Sequence, residues 1–134
     1  MLIAKLIQKC NMILGIGTDI IEVERVRKAI ARQGFKEKVF SEREIAYCDK
    51  EERGERYAAR YAAKEAFSKA MGTGWAADVD IHSVEIINDK KGKPNIILSG
   101  KALDLFTGLG GIRIHVSLSH IKETALAFVV IEGR

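Results

Sequence analysis

The chain has 134 residues, of which 47% are hydrophobic and 30% are charged, and its net charge is +4. These values are typical of one soluble domain with a modest core, and the basic charge favours an anionic partner without identifying it. No apolar run approaches the roughly 18 residues that a membrane-spanning helix needs. The two cysteines, Cys10 and Cys48, form neither a metal-binding spacing nor a disulfide framework, so we expect a cytoplasmic protein with no membrane partner.

The first eleven residues precede a second methionine, Met12, and carry two lysines in a short apolar pattern. This pattern is too short and too interrupted for a signal peptide, and no small-residue cleavage site follows it. We interpret residues 1–11 as an extension or the result of an upstream start codon, with an amphipathic helix as the alternative. Residues 12–134 then form the domain.

An apolar run predicts a buried strand over Met12–Ile20 that carries Asp19 close to its end. Gly15 and Gly17 do not form a dinucleotide-binding fingerprint, because an isoleucine stands where that motif needs its third glycine. Glycines within a strand more often mark the close approach of another backbone. Asp19 is either the N-cap of the next helix or a site residue.

Two helices are expected next. Apolar residues at helical spacing predict the first over Glu22–Arg32, ended by Gly34. Its opposite face is cationic, which is usually no more than a solvated face. The cations are Arg25, Arg27, Lys28 and Arg32. Ser41 and Glu44 have the spacing of a capping box, which opens a second helix that runs to about Arg53.

The stretch Tyr57–Gly74 predicts a long central helix that ends at Gly72 in a glycine turn. Small side chains let such a helix be approached closely from several sides. The alanines stand at positions 58, 59, 62, 63, 66 and 70. Glu65 and Lys69 are four residues apart and share one face. They form either an ordinary ion pair along the helix or part of a site that holds a metal and an anion together.

After the central helix the pattern changes to strands. The predicted strands are Val84–Asn88, Asn95–Leu98, Arg113–His120 and Thr124–Ile131, with one short helix over Lys101–Phe106. The first two form a hairpin, and Thr124–Ile131 is apolar enough to be a central strand. Helices followed by hairpins predict an α+β fold with a mainly antiparallel sheet packed against the long central helix.

Asp19 and Glu65 are carboxylates in otherwise apolar segments. If both point into one cleft they repel each other, and a divalent cation relieves the repulsion. Two carboxylates with water and phosphate oxygens are a usual environment for Mg²⁺. Several cations and His120 are candidate anion contacts. The cations are Arg60, Lys64, Lys69, Lys90, Lys91 and Lys93. This combination suits phosphoryl or nucleotidyl transfer, with the substrate left open.

Four segments, in this order, resemble the motifs of the holo-acyl-carrier-protein synthase family. They are GIGTDI at residues 15–20 with Glu22 and Arg25, AAKEAFSKA at 62–70 with GTG at 72–74, GKP at 92–94, and VSLSH at 116–120. The resemblance extends from Met12 to the C-terminus. Each segment alone is a weak signal, and the ordered set is a strong one.

The resemblance implies an enzyme of fatty acid biosynthesis that moves 4′-phosphopantetheine from coenzyme A to a serine of apo acyl carrier protein, leaving adenosine 3′,5′-bisphosphate. It implies Asp19 and Glu65 as the Mg²⁺ ligands, and Lys69 as a catalytic lysine beside the phosphates. Glu65 is also the first choice for the base that takes the serine proton.

Further roles follow from the same resemblance. The residues expected to surround coenzyme A are Lys64, Ser68, Gly72, Lys93, Pro94 and His120. Arg25 is expected to dock the acidic carrier protein. Short members of this family are similar to half of the longer two-lobed transferases and form homotrimers, with the sites between neighbouring subunits.

Two other classes of protein compete with this interpretation. A non-catalytic nucleic-acid or anion-binding module would use the basic face between Arg25 and Arg32. Against it, the basic residues are not gathered in one block and no nucleic-acid-binding motif occurs, so we expect no nucleic-acid partner. A different Mg²⁺-dependent phosphoryl-transfer enzyme would share the two carboxylates.

Overall fold

The computed structural model describes residues 11–75 and 79–134. The predicted extension lies outside these residues, except for Asn11. The helices and strands are β1 (Met12–Glu22), α1 (Val23–Ile30), α2 (Phe35–Val39), α3 (Glu42–Cys48), α4 (Glu55–Met71), β2 (Val84–Asn88), β3 (Pro94–Leu98), α5 (Gly100–Gly108), β4 (Gly111–His120) and β5 (Thr124–Gly133). Within the described ranges, no helix is both long enough and apolar enough to cross a membrane.

The strands form two antiparallel sheets. The larger has the order β1-β5-β4, and the smaller is the β2–β3 hairpin. The α+β prediction is confirmed, and β5 is the central strand because it pairs with both of its neighbours. In this register Asp19 lies opposite Ala127, which in turn lies opposite Leu118. Asp19 is therefore fixed on the same face of the sheet as the buried Ala127.

The long helix α4 packs against the inner face of the larger sheet. All six of its alanines are buried, as the prediction of close approach from several sides requires. Gly17 lies against the helix backbone, where a Cβ atom would overlap the carbonyl oxygen of Ala66 and lie 2.7 Å from the amide nitrogen of Ala70. A Cβ atom at Gly15 would likewise overlap the carbonyl oxygen of Ala70. The paired glycines thus mark a close backbone approach, as predicted.

Two features of the helix ends agree with the predictions. Ser41 and Glu44 form the expected capping box at the start of α3. The central helix ends at Gly72, whose φ of 78° is left-handed and whose N–H donates to the carbonyl oxygen of Lys69. The residues that we expected to form the turn therefore cap α4.

Other expectations about boundaries are wrong. The helix expected to run to Arg53 ends at Cys48, and α2 is absent from the predictions because its five residues are too few to show helical periodicity. Strand β1 continues to Glu22, which is itself the N-cap residue of α1. Asp19 therefore lies within the strand and does not cap the helix, so the N-cap alternative is wrong.

Candidate active site

Asp19 and Lys69 connect β1 to α4. The Lys69 ammonium donates to Asp19 Oδ1 and to the carbonyl oxygen of Thr18, each over 3.0 Å. Lys69 is half exposed, whereas the Asp19 side chain is mostly buried, with 17% exposed. The charged end of Lys69 thus reaches across to the strand, and its ion pair is not the ordinary one along the helix.

Glu65 lies beside the same cluster. The indole N–H of Trp75 donates to Glu65 Oε1 over 3.1 Å. One helical turn before Glu65, Tyr61 has a raised pKa, first because of burial and then because of the negative charges of Glu65 and Asp19, with Arg25 acting in the opposite direction. Lys69, which contacts Asp19, lies one helical turn after Glu65, so the two predicted metal ligands belong to neighbouring parts of the same surface.

The donor set fits a magnesium ion. Among residues 11–75 and 79–134, no group of three or more His, Cys, Asp or Glu side chains could hold a metal. A site here therefore relies on the carboxylates of Asp19 and Glu65, completed by water and substrate oxygens. Mg²⁺ commonly binds through one or two carboxylates together with waters and substrate phosphates, so the pair fits this ion.

A cationic groove lies next to the carboxylates. It has a volume of about 370 Å³ and is lined by Ile21, Arg25, Val26, Lys28, Ala29, Arg32, Phe35 and Tyr61. Three of the four predicted cations of this region line the groove. Arg27 instead pairs with Glu24 and donates to the carbonyl oxygen of Arg53. Tyr61 is common to the groove and the carboxylate cluster, so an anionic partner bound in the groove would lie beside Asp19 and Glu65.

A second polar cavity, of about 310 Å³, contains Pro94 and His120. Arg56 and Arg60 also line it, and both guanidinium groups stack on the ring of Tyr47 at 4.2 Å. Arg56 also pairs with Glu51 over 3.3 Å, and His120 lies 3.5 Å from Glu55, so an anion bound here would replace carboxylate contacts.

Arg60 is the buried member of this pair. Its side chain donates to Asn88 Oδ1 over 3.0 Å, while its buried Nε atom has no hydrogen-bond partner in the described chain. Arg56 is not among the site residues predicted from the sequence. Its position four residues before Arg60 was the available signal, since residues at this spacing share a helix face.

The other residues predicted to surround coenzyme A lie elsewhere. Lys93 lines a cavity of about 270 Å³ at the outer face of the sheet, together with Phe128. Ser68 Oγ donates to the carbonyl oxygen of Glu65 over 2.9 Å, and Ser68 lies near the turn that begins at Gly72. In one chain these residues therefore line several surface regions. Two of these regions adjoin at Pro94, which lines both the cavity of His120 and that of Lys93.

The structure does not support the predicted role of Lys64 as a coenzyme A contact. Its side chain is 0% exposed, and its ammonium donates to Glu44 Oε1 and to the carbonyl oxygens of Ile81 and Val84. Burial lowers the pKa of Lys64, and the negative charge of Glu44 acts on that pKa in the opposite direction. With its charge and its donors occupied in the interior, Lys64 ties α3, α4 and β2 together. The expectation that it contacts coenzyme A directly is therefore not supported.

The sequence and the fold match one family of known proteins. The model of the 4′-phosphopantetheinyl transferase superfamily matches residues 15–129. A holo-acyl-carrier-protein synthase from Ruminiclostridium cellulolyticum is 49% identical over 120 residues, which cover 87% of this chain and 90% of that protein.

Solved structures agree with this match. The holo-ACP-synthase from Plasmodium yoelii superposes with a TM-score of 0.82 at 32% identity, covering 94% of this chain and 99% of that one. The Bacillus anthracis holo-(acyl-carrier-protein) synthase, in complex with CoA (3′,5′-ADP), gives a TM-score of 0.76 at 40% identity, covering 92% and 99%. The family predicted from the four motifs is confirmed: the chain belongs to the 4′-phosphopantetheinyl transferase superfamily.

Proposed function

We propose that this chain is a holo-acyl-carrier-protein synthase, which transfers 4′-phosphopantetheine from coenzyme A to a serine of apo acyl carrier protein. In the reaction, a bond forms between the serine oxygen and the phosphorus next to pantetheine. The bond from that phosphorus to the adenosine 3′,5′-bisphosphate leaving group breaks. The observation that carries the proposal is the cluster of Asp19, Glu65 and Lys69, at positions that match the family's motifs.

Each residue of the cluster has a role in this proposal. Asp19 and Glu65 would hold Mg²⁺, which when bound supplies positive charge at the pyrophosphate oxygens. Lys69 is half exposed beside Asp19, so its ammonium can turn to the phosphates and stabilise the charge that develops on them. Glu65 accepts the serine proton, directly or through water.

The second polar cavity supports an anion-binding role. His120, Arg56 and Arg60 line it, and the Nε atom of Arg60 is buried without a partner among the described residues. A phosphate group of coenzyme A would take the place of Glu51 on Arg56 and of Glu55 on His120. The proposal thus assigns coenzyme A contacts to this cavity and to Ser68, Gly72, Lys93 and Pro94.

The carrier protein is proposed to dock in the cationic groove. We expect Arg25→Ala to raise KM for the carrier about tenfold, since one lost charge contact of about 1.4 kcal/mol has that effect. The KM for coenzyme A stays unchanged. Steady-state kinetics with each substrate varied in turn measures both values.

Arg27→Ala is the matched control for Arg25→Ala, because Arg27 lies on the same helix but contacts Glu24 and Arg53 outside the groove. Its KM for the carrier should stay close to that of the wild type. Equal effects of the two substitutions would contradict docking in the groove.

The outer face of the larger sheet supports a homotrimer. Ile16, Ile20 and Phe128 are exposed by 61%, 68% and 45%. The register places Ile20 beside Leu126 and Ile16 beside Val130, so these side chains form one apolar surface. Extended apolar surfaces of this kind mark protein interfaces. The cavity that holds Lys93 includes Phe128, so a neighbouring subunit on this face would lie next to a proposed coenzyme A contact.

A glutamate in this face should prevent assembly. We expect the wild type to have three times the chain mass of 14.9 kDa, and Phe128→Glu to have the mass of one chain, because the interface would bury an unpaired charge. Light scattering after size-exclusion chromatography measures both masses. Leu103→Glu, at a side chain that is 43% exposed on α5, is the matched control and should remain trimeric. A monomeric wild type would contradict the trimer.

A mass measurement tests the transfer reaction itself. The protein is mixed with coenzyme A, MgCl₂ and an apo acyl carrier protein, and the carrier is weighed by mass spectrometry. The expected result is a gain of one phosphopantetheine group that chelation of the metal prevents. No gain with any of several carriers would refute the function. Salt-sensitive binding to nucleic acid would instead favour the binding module.

The transferase domain spans residues 12–134, and the enzyme works in the cytoplasm, where it supplies carrier protein for fatty acid biosynthesis. An antibody stain after cell fractionation tests the location.

A further inference from the structure

One contact of the carboxylate cluster has no part in the function proposed above. Trp75 follows the glycine turn at the end of α4, and its indole N–H lies 3.1 Å from Glu65 Oε1. Ten positions separate the two residues along the chain, so the contact depends on the chain reversing after the helix. Gly72 and Gly74 supply that reversal, because both have left-handed φ angles, of 78° and 62°.

The indole is held on its apolar side. Trp75 is partly buried and packs against the core cluster that includes Phe67 and Met71. The same two side chains line a narrow gap with Trp75 and Val79. Packing on one side fixes the plane of the ring, and the N–H group then has one direction in which to point.

In this contact the hydrogen bond has only one possible direction. An indole nitrogen can only donate a hydrogen bond, whereas an ionised carboxylate can only accept. The contact therefore fixes the position of one of the two carboxylate oxygens of Glu65. The neighbouring carboxylate of Asp19 has its own donor, because Lys69 reaches across to it.

We propose that Trp75 is a positioning residue for Glu65: its N–H holds the carboxylate in the orientation that binds Mg²⁺ and accepts the serine proton. The catalytic part of this proposal rests on the proposed function. Groups that hydrogen-bond to a metal ligand fix its orientation, and their loss commonly costs tenfold to a hundredfold in metal affinity or activity. Trp75 occupies this place for Glu65.

Trp75→Phe tests the proposal, because phenylalanine keeps an aromatic ring in the packed position and removes the donor, together with some ring volume. We expect kcat to fall about tenfold and the Mg²⁺ concentration for half-maximal rate to rise about tenfold. The KM for the carrier protein should stay unchanged, since Trp75 does not line the groove. If Trp75 had only a structural role, the substitution would lower the melting temperature. It would not change kcat and the Mg²⁺ requirement while leaving the KM for the carrier unchanged. A kcat and a Mg²⁺ requirement equal to those of the wild type would overturn the proposal.

The chain also carries its own reporter, because Trp75 is its only tryptophan. Indole emission responds to a charge next to the ring nitrogen. We therefore expect metal-free Glu65→Gln protein to differ from metal-free wild type in its emission maximum, and MgCl₂ to shift the emission of the wild type alone. This measurement needs no turnover, so it tests the contact separately from the transfer reaction. Identical emission spectra of the two proteins, without and with MgCl₂, would overturn the proposal even if the enzyme were active.

Discussion

Glu65→Gln should lower kcat for phosphopantetheine transfer by about a thousandfold while the fold survives. Glutamine has the shape of glutamate, and its amide oxygen can still accept from the indole of Trp75. The substitution therefore removes the negative charge and the basicity at one atom position with little other change. A single-turnover assay with saturating coenzyme A and carrier measures the loss, and circular dichroism shows whether the fold is intact.

A second carboxylate gives an independent test. Asp19→Asn should also reduce kcat strongly, since it removes the other proposed metal ligand and the ion pair with Lys69. Asp104→Asn, the same chemical change at an exposed position on α5, is the matched control and should keep wild-type activity. If Glu65→Gln kept a rate close to that of the wild type, with unchanged Mg²⁺ dependence, the assignment of Glu65 would be wrong.

The pattern of small residues was readable from the sequence. The alanines of α4 and the glycines of β1 both predict a close approach of backbones, and these segments are packed directly on each other. Two backbones can pack this closely only where the side chains between them are small. The sequence therefore shows where such contacts occur. The central position of β5 was readable for a similar reason, because a strand that is covered on both edges and one face tolerates few charges.

The lysines of α4 show where prediction from sequence fails. Lys64 and Lys69 have the same chemistry and belong to the same motif, yet Lys64 is completely buried against Glu44 and Lys69 lies beside Asp19. Which lysine faces the interior depends on where α3, β2 and β1 are placed around the helix. These contacts join residues 20 to 50 positions apart, and no local pattern specifies them.

Trp75 was missed for the same reason. In the sequence it is an aromatic residue after a helix cap, which normally means a core residue. Its partner becomes visible only when the two glycines turn the chain back along α4. The carboxylates that we propose as metal ligands stand in the family's motifs, whereas the hydrogen bond from Trp75 to Glu65 required the structure.

Gly17→Ala is expected to lower the free energy of unfolding by about 3 kcal/mol, at the upper end of the usual cost of adding a methyl group to a well-packed core. The new Cβ atom would overlap the carbonyl oxygen of Ala66 and lie 2.7 Å from the amide nitrogen of Ala70. Both are backbone atoms of a regular helix, so neither can rotate away, and β1 must move off α4. That movement would separate Asp19 from Lys69, so transfer should fall as well.

Gly108→Ala is the matched control, because a Cβ atom at Gly108 meets nothing within 4 Å. Gly108 is the last residue of α5, where alanine is the better helix former, so this variant should be as stable as the wild type or more stable by up to about 1 kcal/mol. Urea unfolding followed by circular dichroism, with all proteins at one concentration, gives the three free energies. Equal stability of Gly17→Ala and Gly108→Ala would mean that β1 and α4 can separate at no cost. In that case the close packing of the two segments would not be what places Asp19 beside Lys69.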